Sequence, residues 1–208
     1  MNLVMIGAGG HGRVVLDIVR QEGLHVVQAV VDADPLLTGT SIAGIEIVGQ
    51  PNQLHRLKQR GIAGAIVAIG DNRIRQRYAD EVRQAGLRLI SAIHPKSTIA
   101  AGVVVEEGVV VCANAIICVE SRVGECAIIN TAAVVDHECV IGRAAHVCPG
   151  ALLAGRVMVG ERAFIGLGAK VIQCLEIGED AMIAAGAVVV RNVGAGTRVA
   201  GVPARPMR

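Results

Sequence analysis

Aromatic residues are nearly missing from this chain of 208 residues: Tyr78 and Phe164 are the only two, and there is no Trp. Ordinary globular cores use aromatic rings as bulk filler. The interior is therefore expected to be narrow, filled by Val, Ile, Ala and the 26 Gly. A charge excess is missing too, with 20 Lys plus Arg against 18 Asp plus Glu. That balance argues against a nucleic-acid or membrane-surface partner, which needs a clustered basic face. No window reaches the roughly 18 uncharged apolar residues of a membrane span, and no basic segment leads the first apolar stretch. The expected compartment is the cytoplasm. Six cysteines occur without a CxxC pair, which fits a reducing compartment rather than a disulfide scaffold. With 52% hydrophobic residues, the chain has ample apolar surface to fold.

The first half opens with the apolar run Leu3 to Ile6, then Gly7-Ala8-Gly9-Gly10-His11-Gly12. Val14, Val15, Ile18 and Val19 follow at helical spacing up to Gly23, and Val26 to Val31 reads as a strand ending at Asp32. This order of strand, glycine loop, helix and strand is the context that a GxGxxG phosphate loop requires. Its glycines let the backbone approach a pyrophosphate, and the N–H groups opening the helix favour the charge. Asp32 can accept hydrogen bonds from a ribose or base. Pro51 to Arg60 reads as a helix and Ala65 to Ile69 as a strand. Asn72 is expected to cap a helix with Ile74, Tyr78 and Val82 on its inner stripe and Arg73, Arg75, Arg77 and Arg83 in solvent. About four parallel strands give room for one nucleotide rather than two.

After His94-Pro95 the sequence becomes periodic. Every sixth residue from Ile99 to Val189 is Ile, Val or Leu, sixteen positions without an insertion. Four residues after each, the side chain is usually small, as at Ala115, Ala127, Ala133, Cys139, Ala145 and Ala163. This is the hexapeptide signature of a parallel β-solenoid. Gly124, Gly142, Gly160 and Gly178 recur every 18 residues, so three hexapeptides make one turn of a triangular prism. Residues 18 apart are vertical neighbours about 4.8 Å apart. No Cys has another Cys 18 residues away, so the cysteines read as packing residues.

Polar residues cluster in one stretch of the prism, Asn130-Thr131 and Asp136-His137-Glu138-Cys139, followed by His146. Two carboxylates flank His137 and can fix its tautomer. One coil above stands Gly155, with space and a reachable N–H. The outward column Val110, Ile128, His146, Phe164, Met182 is apolar and needs cover, which a subunit interface supplies. His146 then looks into a cleft between protomers.

Gly-Ala-Gly-Gly-His-Gly, Ala68-Ile69-Gly70-Asp71-Asn72, the uninterrupted hexapeptides, Val135 to Gly142 and the terminal Gly201-Val202-Pro203-Ala204-Arg205 together resemble one known family. They look like the bacterial nucleotide-amino-sugar N-acetyltransferases of the pilin-glycosylation and sialic-acid-cluster type. The resemblance spans essentially the whole chain. It implies an α/β, Rossmann-like nucleotide-sugar-binding domain over 1–94 and a left-handed parallel β-helix over 95–208. It further implies a homotrimer, acetyl-CoA as co-substrate, and a UDP-linked 4-amino sugar as acceptor. By the same resemblance His137 is the base, and Glu138 raises its basicity. His146 and Gly155 meet the acetyl end of the co-substrate, and backbone at Leu167 and Ala185 holds its pantetheine arm. Gly9, Gly10, His11, Asp32 and Gly70 bind the nucleotide sugar. Ala33 stands where relatives can carry a second acid, so the base stays open between uridine and guanosine.

Four other readings compete. The glycine loop alone suits a nicotinamide oxidoreductase, but the short first half and the solenoid do not. A β-helical metal enzyme needs three histidines, and only His137 and His146 lie in the repeats. A scaffold without chemistry leaves Asp136-His137-Glu138 unexplained. A sialic acid O-acetyltransferase needs the same base, since a hydroxyl and an amine both shed a proton.

Overall fold

The computed structural model describes residues 1–207. Two compact units divide the chain, Met1–Pro95 and a second that starts at Lys96.

In the first unit β1 (Asn2–Ile6) lies at the centre of a sheet, and its Leu3, Val4, Met5 and Ile6 are fully buried. A parallel strand covered on both faces carries such an unbroken apolar run. Around it stand β2 (Val26–Val31), β3 (Ser41–Ile42), β4 (Ile45–Gly49), β5 (Gly64–Val67) and β6 (Arg88–Leu89), in the order β3-β4-β2-β1-β5-β6. All neighbours are parallel except β3 and β4. The sheet is wider than the expected four strands, because β3 and β6 are two residues long and leave no periodic trace.

Helix α1 (Gly10–Glu22) buries Val15, Leu16, Ile18 and Val19, whereas Val14 stays 41% exposed. It stops at Gly23, which is left-handed (φ 70°) and donates its N–H to Val19 O. After α2 (Leu54–Gln59) and β5 comes α3 (Asn72–Gln84). Its cap is Asp71, not Asn72: the Asp71 carboxylate accepts from Ile74 N at 2.9 Å. Asn72 is thus the first helical residue, and the inner stripe runs through Asn72, Arg75, Tyr78, Ala79 and Val82. Ile74 is exposed, and Arg75, expected in solvent, is completely buried.

The second unit is a stack of two-residue parallel strands. Pairs such as Ile117↔Val135, Ile141↔Val159 and Ile165↔Ile183 place residues 18 apart side by side. Three ribbons result. One runs from Val110–Val111 through His146–Val147 to Met182–Ile183, a second from Thr98–Ile99 to Val188–Val189, and a third from Val104–Val105 to Glu176–Ile177. The sixth-residue positions from Val111 to Val189 form the core, none more than 3% exposed.

Two kinds of corner residue make the turns. A Cβ on Gly142 would lie 2.6 Å from Glu161 N, and one on Gly160 would lie 2.5 Å from Glu179 N. These glycines let adjacent coils close. Two residues after such a glycine the backbone turns left-handed, at Cys126, Ala144, Arg162 and Asp180, and it does so again on the other corners at Glu120, Ala132, Glu138, Arg156 and Cys174. L-residues resist that conformation, and hexapeptide spacing alone did not announce it. Two expectations fail here. Cys174 is exposed on such a corner rather than buried in the core. In the outward column Val110 and Ile128 are fully buried within the single chain and His146 is 8% exposed, so only Phe164 and Met182 still need cover.

Candidate active site

Gly7 to Gly9 join β1 to α1, and the glycines there divide into two groups. Gly7 has φ +108°, and a Cβ on it would lie 2.7 Å from Ala68 O; one on Gly12 would lie 2.5 Å from Gly7 O. These two let the loop fold against β5. Gly9, Gly10 and Gly70 have nothing within 4 Å of a built Cβ. Their space is not filled by the protein, as a cradle for a diphosphate requires.

Asp32, at the end of β2, first holds this loop together. Its Oδ2 accepts from Ala8 N at 2.7 Å and its Oδ1 from Asp34 N at 2.9 Å. A carboxylate keeps further lone pairs for a ligand.

His11 sits in the first turn of α1 with Nε2 buried and without a hydrogen-bond partner among the described residues. Burial, and then the Arg75 cation, pull its pKa down to about 4. The ring is therefore neutral near pH 7, with a buried nitrogen left unused. Arg75 donates through Nη1 to Ile69 O and Gly70 O, both at 3.0 Å, and through Nη2 to Asn72 Oδ1 at 2.8 Å. It ties down the Gly70 turn and places a cation beside His11. The reading of α3 missed this residue, although its spacing of three from Asn72 places both on one helical face.

In the second unit, His137 and Glu138 occupy a corner between the second and third ribbons. His137 Nδ1 donates to Glu138 Oε2 at 2.9 Å, because a carboxylate can only accept. The lone pair is thereby on Nε2. Asp136 takes the main chain instead, accepting from His137 N at 2.8 Å. So Glu138 orients the ring and Asp136 the backbone. Gly155 lies against the ring: any Cβ there would collide with Cε1 and Nε2. Among the described residues its N–H makes no backbone hydrogen bond, and the same holds for Leu167 and Ala185.

Arg156 was not foreseen. It donates through Nε to the same Glu138 Oε2 at 3.0 Å. This hydrogen bond, and then the one from His137, hold the Glu138 carboxyl below the ordinary carboxylate range. The 18-residue lattice could have found it, since 138 and 156 are one coil apart.

Neighbouring Cys139 is fully buried, with its thiol donating to Ala154 O at 3.2 Å. Desolvation pushes it up to about 11, so it is a poor nucleophile near neutrality.

His146 forms a second cluster. Asn130 Nδ2 donates to its Nε2 at 3.0 Å while Asn130 Oδ1 accepts from Thr131 N at 2.8 Å. The Phe164 ring meets it edge-on at 5.4 Å. His146 lies on the first ribbon, whereas the strands flanking His137 belong to the second and third. Leu167 and Ala185 stack on a different edge, between the first and second ribbons, joined by Gly186 N to Leu167 O at 2.8 Å. The chain therefore brings His137, Glu138 and Gly155 together and leaves His146, Leu167 and Ala185 elsewhere on the prism.

The PglD N-terminal domain family matches residues 2–82. Solved structures resemble the whole chain. A point variant of perosamine N-acetyltransferase from Caulobacter crescentus, in complex with CoA and GDP-perosamine, is 43% identical with a TM-score of 0.96, covering 100% of this chain and 97% of that one. The acetyltransferase domain of PglB from Neisseria gonorrhoeae, in complex with acetyl coenzyme A, is 35% identical with a TM-score of 0.92, covering 99% and 98%. WeeI from Acinetobacter baumannii is 26% identical with a TM-score of 0.88 over 100% of both chains.

Proposed function

The chain belongs to the nucleotide-amino-sugar N-acetyltransferases that carry a PglD N-terminal domain, and from that premise we propose how its own residues perform the transfer. It is an acyltransferase with acetyl-CoA as co-substrate, acting on the amino group of a nucleotide-linked 4-amino sugar. The acceptor we propose is GDP-linked before UDP-linked, on the strength of the 43% identical relative that holds GDP-perosamine. The first unit holds the nucleotide sugar through the open glycines Gly9, Gly10 and Gly70, the neutral His11 and the remaining lone pairs of Asp32.

His137 is the general base. Nε2 takes the proton that the sugar nitrogen sheds as it attacks the thioester carbonyl. Glu138 holds Nδ1–H and stabilises the imidazolium that forms. The N–H of Gly155 is the donor for the tetrahedral oxyanion, in a position where developing charge gains most. Attack is direct: Cys139 is buried with its thiol pushed up to about 11, and desolvation, then the Asp136 charge, raise the nearby Cys118 thiol as well.

The assembly is a homotrimer. One thioester cannot lie along the Leu167–Ala185 edge and also reach the His137–Gly155 edge of the same prism, since a whole ribbon separates them. Across an interface the two edges can meet, with one protomer giving the base and its neighbour His146 and the pantetheine-binding backbone. Half-buried Phe164 and exposed Met182, Ile116 and Leu152 supply apolar cover for such packing. The compartment we propose is the cytoplasm, which supplies acetyl-CoA; among the described residues no helix is long and apolar enough to cross a membrane.

The observation that carries this reading is the His137 Nδ1–Glu138 Oε2 bond facing Gly155. It is tested by thiol release from acetyl-CoA against GDP-, UDP- and dTDP-linked amino sugars and free sialic acid. Turnover with a nucleotide amino sugar supports it; turnover with sialic acid alone moves the enzyme to O-acetylation.

A further inference from the structure

We propose that Arg156 is a positioning residue for the base: it clamps Glu138 in place and sets how strongly that carboxylate draws the proton on His137. The proposal rests on His137 being the base, and its geometry involves two separate grips. The Arg156 N–H donates to His137 O at 2.9 Å, across one coil. Its guanidinium Nε donates to Glu138 Oε2 at 3.0 Å, the oxygen that receives His137 Nδ1 at 2.9 Å. Two donors thus converge on one carboxylate oxygen, and the second oxygen takes no part.

The backbone explains why they meet. Glu138 and Arg156 hold equivalent left-handed corners, with φ of 59° and 61°. Side chains from stacked, identically turned corners run side by side, as the prism spacing of about 4.8 Å demands. Glu138 would otherwise be a short acid on an exposed corner, free to change rotamer. With Arg156 bound, one rotamer is kept and the ring stays aimed at Gly155.

The cation also acts on charge. A carboxylate shared with a guanidinium is a weaker partner for imidazolium than a carboxylate alone. The other charged or titratable groups in contact are Asp136, bound to the His137 main chain, Cys118 beside Asp136, and Cys174, one coil beyond Arg156. A carboxylate beside an imidazole favours its protonated form and a cation on that carboxylate offsets it, so removing Glu138 and removing Arg156 should act on the ring in opposite directions.

The experiment uses the full-length enzyme with Arg156→Gln, Arg156→Lys and, for comparison, Glu138→Gln. Two readouts are taken: NMR titration of the His137 ring in the free enzyme, and the pH dependence of kcat. Arg156→Gln should raise the His137 midpoint by about half a pH unit, the effect of one charge in a near-water dielectric. Glu138→Gln should lower it, and Arg156→Lys should stay near the wild type. KM for both substrates should change less than about two-fold, because the proposed action of Arg156 runs through Glu138 and not through substrate binding. An unmoved or lowered midpoint in Arg156→Gln overturns the proposal. A raised midpoint with an unmoved kcat profile supports Arg156 as proposed and instead removes His137 from the role of base.

Discussion

Replacing Gly155 by Ala adds one methyl group, and the structure sets the size of its effect. The new Cβ would fall within the envelope of His137 Cε1 and Nε2 and lie 3.1 Å from Cδ2. The adjacent carbonyls and the fold around it are untouched, because the obstacle is a partly exposed ring and not backbone. The ring must retreat by about 1 Å to restore ordinary contact. A base displaced by about that distance costs on the order of 100-fold in rate. The Gly155 N–H remains, so the oxyanion donor is not lost with the side-chain space. Steady-state thiol release should show kcat falling about 100-fold with KM for acetyl-CoA near the wild type. A double-mutant cycle separates this effect from a general loss of structure. In a His137→Ala background no ring remains to be pushed, and Gly155→Ala should cost almost nothing more. If Gly155→Ala keeps wild-type kcat, or if its cost is the same with and without the ring, the steric argument is wrong.

Three other outcomes follow from the same geometry. His11 should stay neutral in the folded enzyme down to a midpoint of about 4; as pH falls from 6.5 the unfolded chain takes up its proton first, so stability should decline from pH 6.5 towards 4, by no more than about 3 kcal/mol, and Arg75→Met should raise the NMR midpoint and weaken nucleotide-sugar binding together. Gly9→Val should fold normally, since nothing lies within 4 Å of its Cβ, but lose nucleotide-sugar affinity by calorimetry while acetyl-CoA affinity stays constant; equal loss of both would refute the division of labour between the units. Phe164→Glu should dissociate the trimer in light scattering and abolish activity with it, each large apolar side chain buried there contributing about 1.5–3 kcal/mol; a trimeric Phe164→Glu would contradict the interface.

The solenoid is legible in the sequence because its core has one side chain per six residues and no insertion to break the count. Each inward position from Val111 to Val189 is buried where the period puts it. Lateral relations carry no such signal. The left-handed corners are held by Glu, Arg, Cys, Ala and Asp alike, so residue type did not mark them. Arg156 could be found only by applying the 18-residue rule to Glu138 itself. Burial of Val110 and Ile128 in the isolated chain likewise escapes a rule that counts outward positions as exposed. In the first unit the glycine loop could be read because strand, turn and helix each left a local trace. Tyr78 and Val82 face inward as expected, but the stripe continues three residues before Tyr78 through Arg75 rather than four before it through Ile74, and an arginine is not read as a core residue.

Direct attack assisted by His137 is the centre of the account, and one pair of variants tests it: kcat of His137→Ala beside Cys139→Ser, with acetyl-CoA and the nucleotide amino sugar at saturation. Loss of a general base should lower kcat by about 10²–10⁴-fold with both KM values little changed, whereas Cys139→Ser, altering a buried thiol with its pKa near 11, should leave turnover almost intact. Near wild-type kcat in His137→Ala together with a dead Cys139→Ser would contradict direct attack and require an acyl-enzyme in its place.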